Sequence, residues 1–137
     1  MKMNKYGKLA VLISIYIILC LLYVFCLCLY MKKDLLLTKI GIGSLNLWSI
    51  THFIAFFIIG FLFPELKLMI IAFALGLIWE ILEFLLGAKN PKWICNFCKD
   101  KNFCNRWVRK VGRWSDILMN FLGLLTGYLF SKIKKKK

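Results

Sequence analysis

Residues 9–30 read LAVLISIYIILCLLYVFCLCLY, a run without one charged side chain. A helix rises about 1.5 Å per residue, so about 20 apolar residues cross the hydrocarbon core of a bilayer. This run is long enough. It is entered past Lys2, Lys5 and Lys8 and left through Met31-Lys32-Lys33-Asp34. A cleaved signal peptide is the competing reading, but signal h-regions are usually shorter and end at small residues; none follows Tyr30. The run therefore sets the class: a membrane protein built from helices.

Working outward, residues 35–47 (LLLTKIGIGSLNL) are mixed and read as a short amphipathic or re-entrant stretch at the interface. Residues 48–63 (WSITHFIAFFIIGFLF) make a second, slightly short span, closed by a tight turn at Pro64 and Glu65. Residues 66–87 (LKLMIIAFALGLIWEILEFLLG) make a third, with two carboxylates near its end. Residues 88–115 form a polar, basic connection bearing cysteines and tryptophans. Residues 116–131 (DILMNFLGLLTGYLFS) give a fourth span, and Lys132 to Lys137 form a basic tail. The expected fold is all-α: one domain over 1–137, a bundle of about four transmembrane helices. Trp48, Trp93, Trp107 and Trp114 fall near span ends or in the connection, where rings with a polar edge favour the headgroup zone.

Composition agrees. The chain is 61% hydrophobic, with a mean hydropathy of +0.75, and a soluble domain of 137 residues buries only part of its surface. The formal charge is +14. In a soluble protein such a charge points to nucleic acid. Here the basic residues flank apolar runs, so membrane lipids with anionic headgroups are the expected partners, and no nucleic acid. With four spans, the Lys and Arg residues divide nearly evenly between the two sides, so the positive-inside rule does not orient the protein.

Only six acids are present: Asp34, Glu65, Glu80, Glu83, Asp100 and Asp116. A charge in the bilayer costs on the order of 3 kcal/mol, so intramembrane acids tend to be functional. Glu80 and Glu83 are three apart and share a helix face. Asp116 and Asn120 are four apart, and Gly123 and Gly127 continue their stripe, which lets a neighbouring helix come close. His52, the sole histidine, stands near the start of span two. Alternating spans bring the start of span two, the end of span three and the start of span four to one membrane face. His52, Glu80, Glu83, Asp116 and Asn120 are therefore expected in one cavity.

The structural alternatives are ordinary ones. Glu80 and Glu83 could snorkel to the interface, Asp116 could cap the fourth helix, and Arg113 could neutralise one of the acids. Span one has no polar site residue and is expected to act as a brace rather than line the cavity. Glu80, Glu83, Asp116 and Asn120 offer hard oxygen ligands suited to Ca²⁺, Mg²⁺ or Mn²⁺. His52 beside such an ion can serve as base or nucleophile. At headgroup depth the reachable substrate is a phospholipid phosphate. A proton or ion pathway uses the same residue types.

His52, Trp79-Glu80-x-x-Glu83 and Asp116-x-x-x-Asn120-x-x-Gly123-x-x-x-Gly127 together resemble two membrane families. One is the base-exchange phosphatidylserine synthases, with a histidine opening a span, a Trp-Glu-x-x-Glu motif and an Asp-Ile-Leu segment leading to Asn and glycines. The other is the VanZ-like family, with Glu-x-x-Gln in its third span and Asp-x-x-x-Asn in its fourth. Glu83 follows the synthases; the Asp116–Asn120 spacing and Gly112-Arg113 follow the VanZ-like pattern. The resemblance implies a multi-pass membrane transferase that exchanges, transfers or hydrolyses a phospholipid headgroup with a divalent cation, Ca²⁺ first among the candidates. His52 would be base or nucleophile, with Glu80, Glu83, Asp116 and Asn120 as metal or headgroup ligands. The alternatives are a non-enzymatic VanZ-like protein that binds lipid or an amphiphilic drug, and a small ion or proton carrier.

Of the six cysteines, Cys20, Cys26 and Cys28 lie in span one, where they read as small apolar residues, Cys26 and Cys28 also as acylation candidates. Cys95, Cys98 and Cys104 form C-x2-C-x5-C. Structural zinc takes four ligands, so three cysteines without a histidine are not expected to hold zinc. A disulfide with one spare thiol, or free thiols, are the other readings.

Overall fold

A computed structural model describes residues 4–30, 35, 45–85, 89, 95–108 and 113–134, the side chains of 107 and 108 excepted. Most of the interfacial stretch read over 35–47 lies outside the described residues, as does much of the connection. The described residues are all-α and form five helices, α1 (Lys5–Tyr30), α2 (Leu47–Leu62), α3 (Leu66–Glu83), α4 (Lys101–Val108) and α5 (Trp114–Lys134).

Each boundary has a local cause. Asn46 caps α2, its side-chain oxygen accepting the Ser49 N–H at 3.1 Å, a contact worth about 1 kcal/mol. Pro64 follows directly on Phe63, where the helix stops, because proline has no N–H and disfavours helix in the preceding residue. Helix α4 lies inside the stretch read as a plain connection. Asp100 starts it by accepting the Phe103 N–H at 2.9 Å, the geometry of an N-cap.

Helices α2 and α5 run parallel and form the most extensive pairing. Gly123 lies against the Phe53 carbonyl and Gly127 against the Phe57 carbonyl, so closely that a methyl group on either would meet backbone. Gly60 sits likewise against the Leu124 carbonyl. The stripe read from the sequence is thus a backbone-to-backbone contact. Helix α3 packs against both α2 and α5. The buried apolar core is built by Leu9, Phe56, Ile59, Phe63, Leu68, Ala72 and Leu124.

The helix ends pair consistently. At one end Lys5 pairs with Glu65, Lys67 lies over Tyr6, and Lys134 lies 5.5 Å from the Phe61 ring. At the other, Tyr23 meets Trp48 edge-on at 5.3 Å, and the Lys99 N–H donates to the Cys28 carbonyl at 3.1 Å. Among the described residues α1 is the one helix both long and apolar enough to cross a membrane by length and composition; α2 is a shorter apolar helix. Only Leu9 and Leu27 of α1 are buried, so α1 is not the core helix of a water-soluble fold.

One disulfide, Cys28–Cys98, joins the end of α1 to the segment around α4, and a second, Cys95–Cys104, closes a loop within that segment. Cys28 is therefore a disulfide partner rather than a free thiol, and not an acylation site in this form. The C-x2-C-x5-C triplet leaves no spare thiol, because α1 supplies the partner for Cys98. Cys20 and Cys26 are free. Disulfides of this kind belong to oxidising compartments.

Candidate functional site

The polar residues of α2 and α5 meet in register because the two helices are parallel. Ser49 donates from its hydroxyl to Asp116 Oδ1 at 2.6 Å. One turn further, His52 Nδ1 lies 3.0 Å from Asn120 Oδ1. One more turn brings Gly123 to Phe53. The glycine packing therefore sets the depth at which the polar pairs face each other. Asp116 stands in the first turn of α5, where a negative charge is favoured by the helix dipole. It is not the cap residue, since the helix begins before it.

Helix α3 brings Glu80 to the same point, with Oε1 3.5 Å from His52 Nδ1. His52, Glu80 and Asp116 each offer a ligand atom, and these atoms lie within 4.8 Å of one another. All three residues are buried, as is Asn120. Glu80 is 2% exposed, so it does not snorkel. Neither of its oxygens makes a hydrogen bond of good geometry; the backbone N–H of Arg113 lies beside it without reaching that geometry. A buried carboxylate costs several kcal/mol when it lacks a compensating positive partner. The donor set of one imidazole and two carboxylates, with an amide alongside, fits a divalent cation.

Glu83 is placed differently. Its Oε1 accepts the Trp79 indole N–H at 2.5 Å, and it is not one of the three residues within 4.8 Å of each other. Trp79 and Glu83 are four apart on α3, so that pairing is a local helix contact.

A cavity of about 200 Å³ opens beside the cluster. His52 and Asn120 line its polar end, Phe56, Ile59 and Ala72 its apolar depth. Helix α1 also lines it, through Ile13, Tyr16, Ile17 and Cys20, which corrects the expectation that span one only braces the bundle. The Tyr16 ring meets His52 edge-on, with centroids 6.2 Å apart. Its hydroxyl is buried without a hydrogen-bond partner of good geometry.

Sequence reasoning missed Tyr16, Ser49 and Asn46. Ser49 carried a usable signal, since it lies three residues before His52 and so shares its face. Tyr16 carried a fainter one, a phenol within a span that has no charged side chain. No family model, curated protein or solved structure matches this chain.

Proposed function

We propose that the chain is a four-span integral membrane protein, crossing through α1, α2, α3 and α5, that modifies phospholipid headgroups with the aid of a divalent cation. The observation that carries this reading is the convergence of His52, Glu80 and Asp116, buried and within 4.8 Å, beside an apolar cavity that His52 and Asn120 line. The four-span reading is supported by the parallel course of α2 and α5, by helix ends that pair in two groups, and by the apolar periphery. Ile18, Phe25, Ile54, Ile70, Leu118 and Phe130 are among its large exposed side chains; water-soluble monomers rarely carry so much apolar surface in contiguous patches.

Glu80 and Asp116 would hold the cation, with Asn120 alongside and His52 kept off the ion as the base. These oxygen donors suit Ca²⁺, Mg²⁺ or Mn²⁺. A bound divalent ion would neutralise the acids and polarise a phosphate oxygen. Asn120 fixes the ring of His52. His52 then takes the proton of an acceptor hydroxyl, from water or an alcohol, as the new O–P bond forms. It returns the proton to the departing headgroup oxygen as the old P–O bond breaks. Ser49 holds Asp116 in place through the 2.6 Å hydrogen bond.

The order of His52, Trp79-Glu80-x-x-Glu83 and Asp116-x-x-x-Asn120 also supports this reading through its likeness to phosphatidylserine synthases and VanZ-like proteins. The apolar cavity favours one alternative, a non-enzymatic binder of an amphiphile. The test is lipid mass spectrometry on cells expressing wild type, His52→Ala or Glu80→Gln at matched levels. A headgroup change present in wild type and lost in both variants is the expected result. Identical lipid profiles in all three overturn the enzymatic reading, and amphiphile binding retained in both variants would then favour the binder.

A further inference from the structure

The end of α1 and the segment 95–108 form a second, smaller core, separate from that of the bundle. It contains Leu27, Cys95, Cys98 and Cys104, with Tyr23, Val24, Cys28 and Phe103 packed on it. So few apolar side chains cannot hold a segment of this size by burial alone. Units this small depend on a covalent or metal staple. The staple seen is the pair of disulfides, and the chemistry of its four sulfurs goes further than that.

Structural zinc takes four thiolates in a tetrahedron, often with two of them from a C-x2-C turn. Cys95 and Cys98 have that spacing, and the turn is formed, with the Cys98 N–H donating to the Cys95 carbonyl at 3.2 Å. Cys104 follows on α4. The fourth sulfur, missing from the local sequence, comes from Cys28, seventy residues from Cys98 along the chain. The sulfurs of Cys28, Cys98 and Cys104 lie within 4.8 Å of one another, and that of Cys95 is bonded to that of Cys104. Tetrahedral Zn–S bonds of about 2.3 Å put ligand sulfurs about 3.8 Å apart. Cys95, Cys98 and Cys104 are buried, as the ligands of a closed structural site should be.

We propose that Cys28, Cys95, Cys98 and Cys104 form a tetrathiolate zinc site when reduced, and that the two disulfides are its oxidised form. In the conversion each disulfide takes two electrons and two protons from a dithiol reductant, which itself becomes a disulfide. Zn²⁺ then displaces the four thiol protons. Either form ties α1 to the connection, so the staple survives a change of redox compartment. The site is separate from the His52 cluster and does not depend on its function.

The experiment uses the full chain in detergent, reduced, freed of reductant and titrated with Co²⁺. Thiolate-to-cobalt charge-transfer bands require sulfur ligands, so binding at His52, Glu80 and Asp116 cannot produce them. One equivalent of Co²⁺ per chain should give the bands, and one equivalent of Zn²⁺ should abolish them. Cys28→Ser should weaken binding by about tenfold or more, whereas Cys20→Ser and Cys26→Ser should leave it unchanged. The unreduced protein should give no bands. Absence of bands from protein whose thiols all titrate as free overturns the proposal, as does Cys28→Ser binding with wild-type affinity.

Discussion

The bundle carries a carboxylate beside a basic side chain at each end, and the two pairs differ most in their surroundings. Lys5 and Glu65 meet in the open, with side chains 67% and 48% exposed. His52 and Glu80 meet where the corresponding values are 7% and 2%. Water and salt screen the first pair, and its net worth is at most about 1 kcal/mol. The second pair has no such screen, and both Glu80 oxygens lack good hydrogen bonds. A carboxylate beside a basic side chain thus ties α1 to the α2–α3 turn at one end and creates a demand for positive charge at the other. Surroundings, more than residue identity, separate a tether from a site.

The largest effect expected along this comparison is at Glu80. Glu80→Gln keeps the shape but removes the charge, so divalent-ion affinity should fall by about a hundredfold or more, measured by calorimetry on the purified protein. Arg113→Ala should leave the metal dependence in place. If Glu80→Gln binds as wild type while Arg113→Ala abolishes activity, the buried end is a structural ion cluster and the contrast collapses.

Next is the packing that sets the depth of the buried pair. Gly127→Leu would force α2 and α5 apart, since the Phe57 carbonyl occupies the space its side chain needs. A loss of about 2–3 kcal/mol is expected, read as a drop in thermal midpoint in detergent. An unchanged midpoint would mean that the two backbones are not in contact.

A smaller effect is expected at Ser49. Removing its hydroxyl leaves Asp116 without the 2.6 Å hydrogen bond, and affinity for the ion should fall about tenfold. A loss as large as that of Glu80→Gln would promote Ser49 from support to ligand. The smallest effect belongs to the exposed end: Glu65→Gln should shift stability by less than about 1 kcal/mol and leave lipid chemistry untouched. A large effect there would show that the exposed pair matters beyond its screening.

Much of this was legible beforehand. Apolar runs announced four helices, and α1, α2, α3 and α5 fall on them. The meeting of His52, Glu80, Asp116 and Asn120 followed from alternating direction along the chain. What escaped depended on side-chain competition and on distance in sequence. Glu83 shares a face with Glu80, yet Trp79 one turn away offers a donor and engages it. Tyr16 lies on a helix whose pattern is apolar all round, so nothing marked which side would face the cavity. Helix α4 is short and polar, and its start rests on one capping aspartate. The partner of Cys98 lies in a different apolar run, where a cysteine reads as one more small side chain.

The Cys28–Cys98 bond also makes a closed ring of the chain. Helices α2 and α3 lie inside the ring, and α4 and α5 lie outside it. In the disulfide-bonded form, one protease cut within the ring breaks it open but frees nothing: His52 and Glu80 stay attached to a single molecule. A cut between α4 and α5 releases Asp116 and Asn120 at once. Gels run with and without reductant therefore distinguish a nick within the ring from one between α4 and α5.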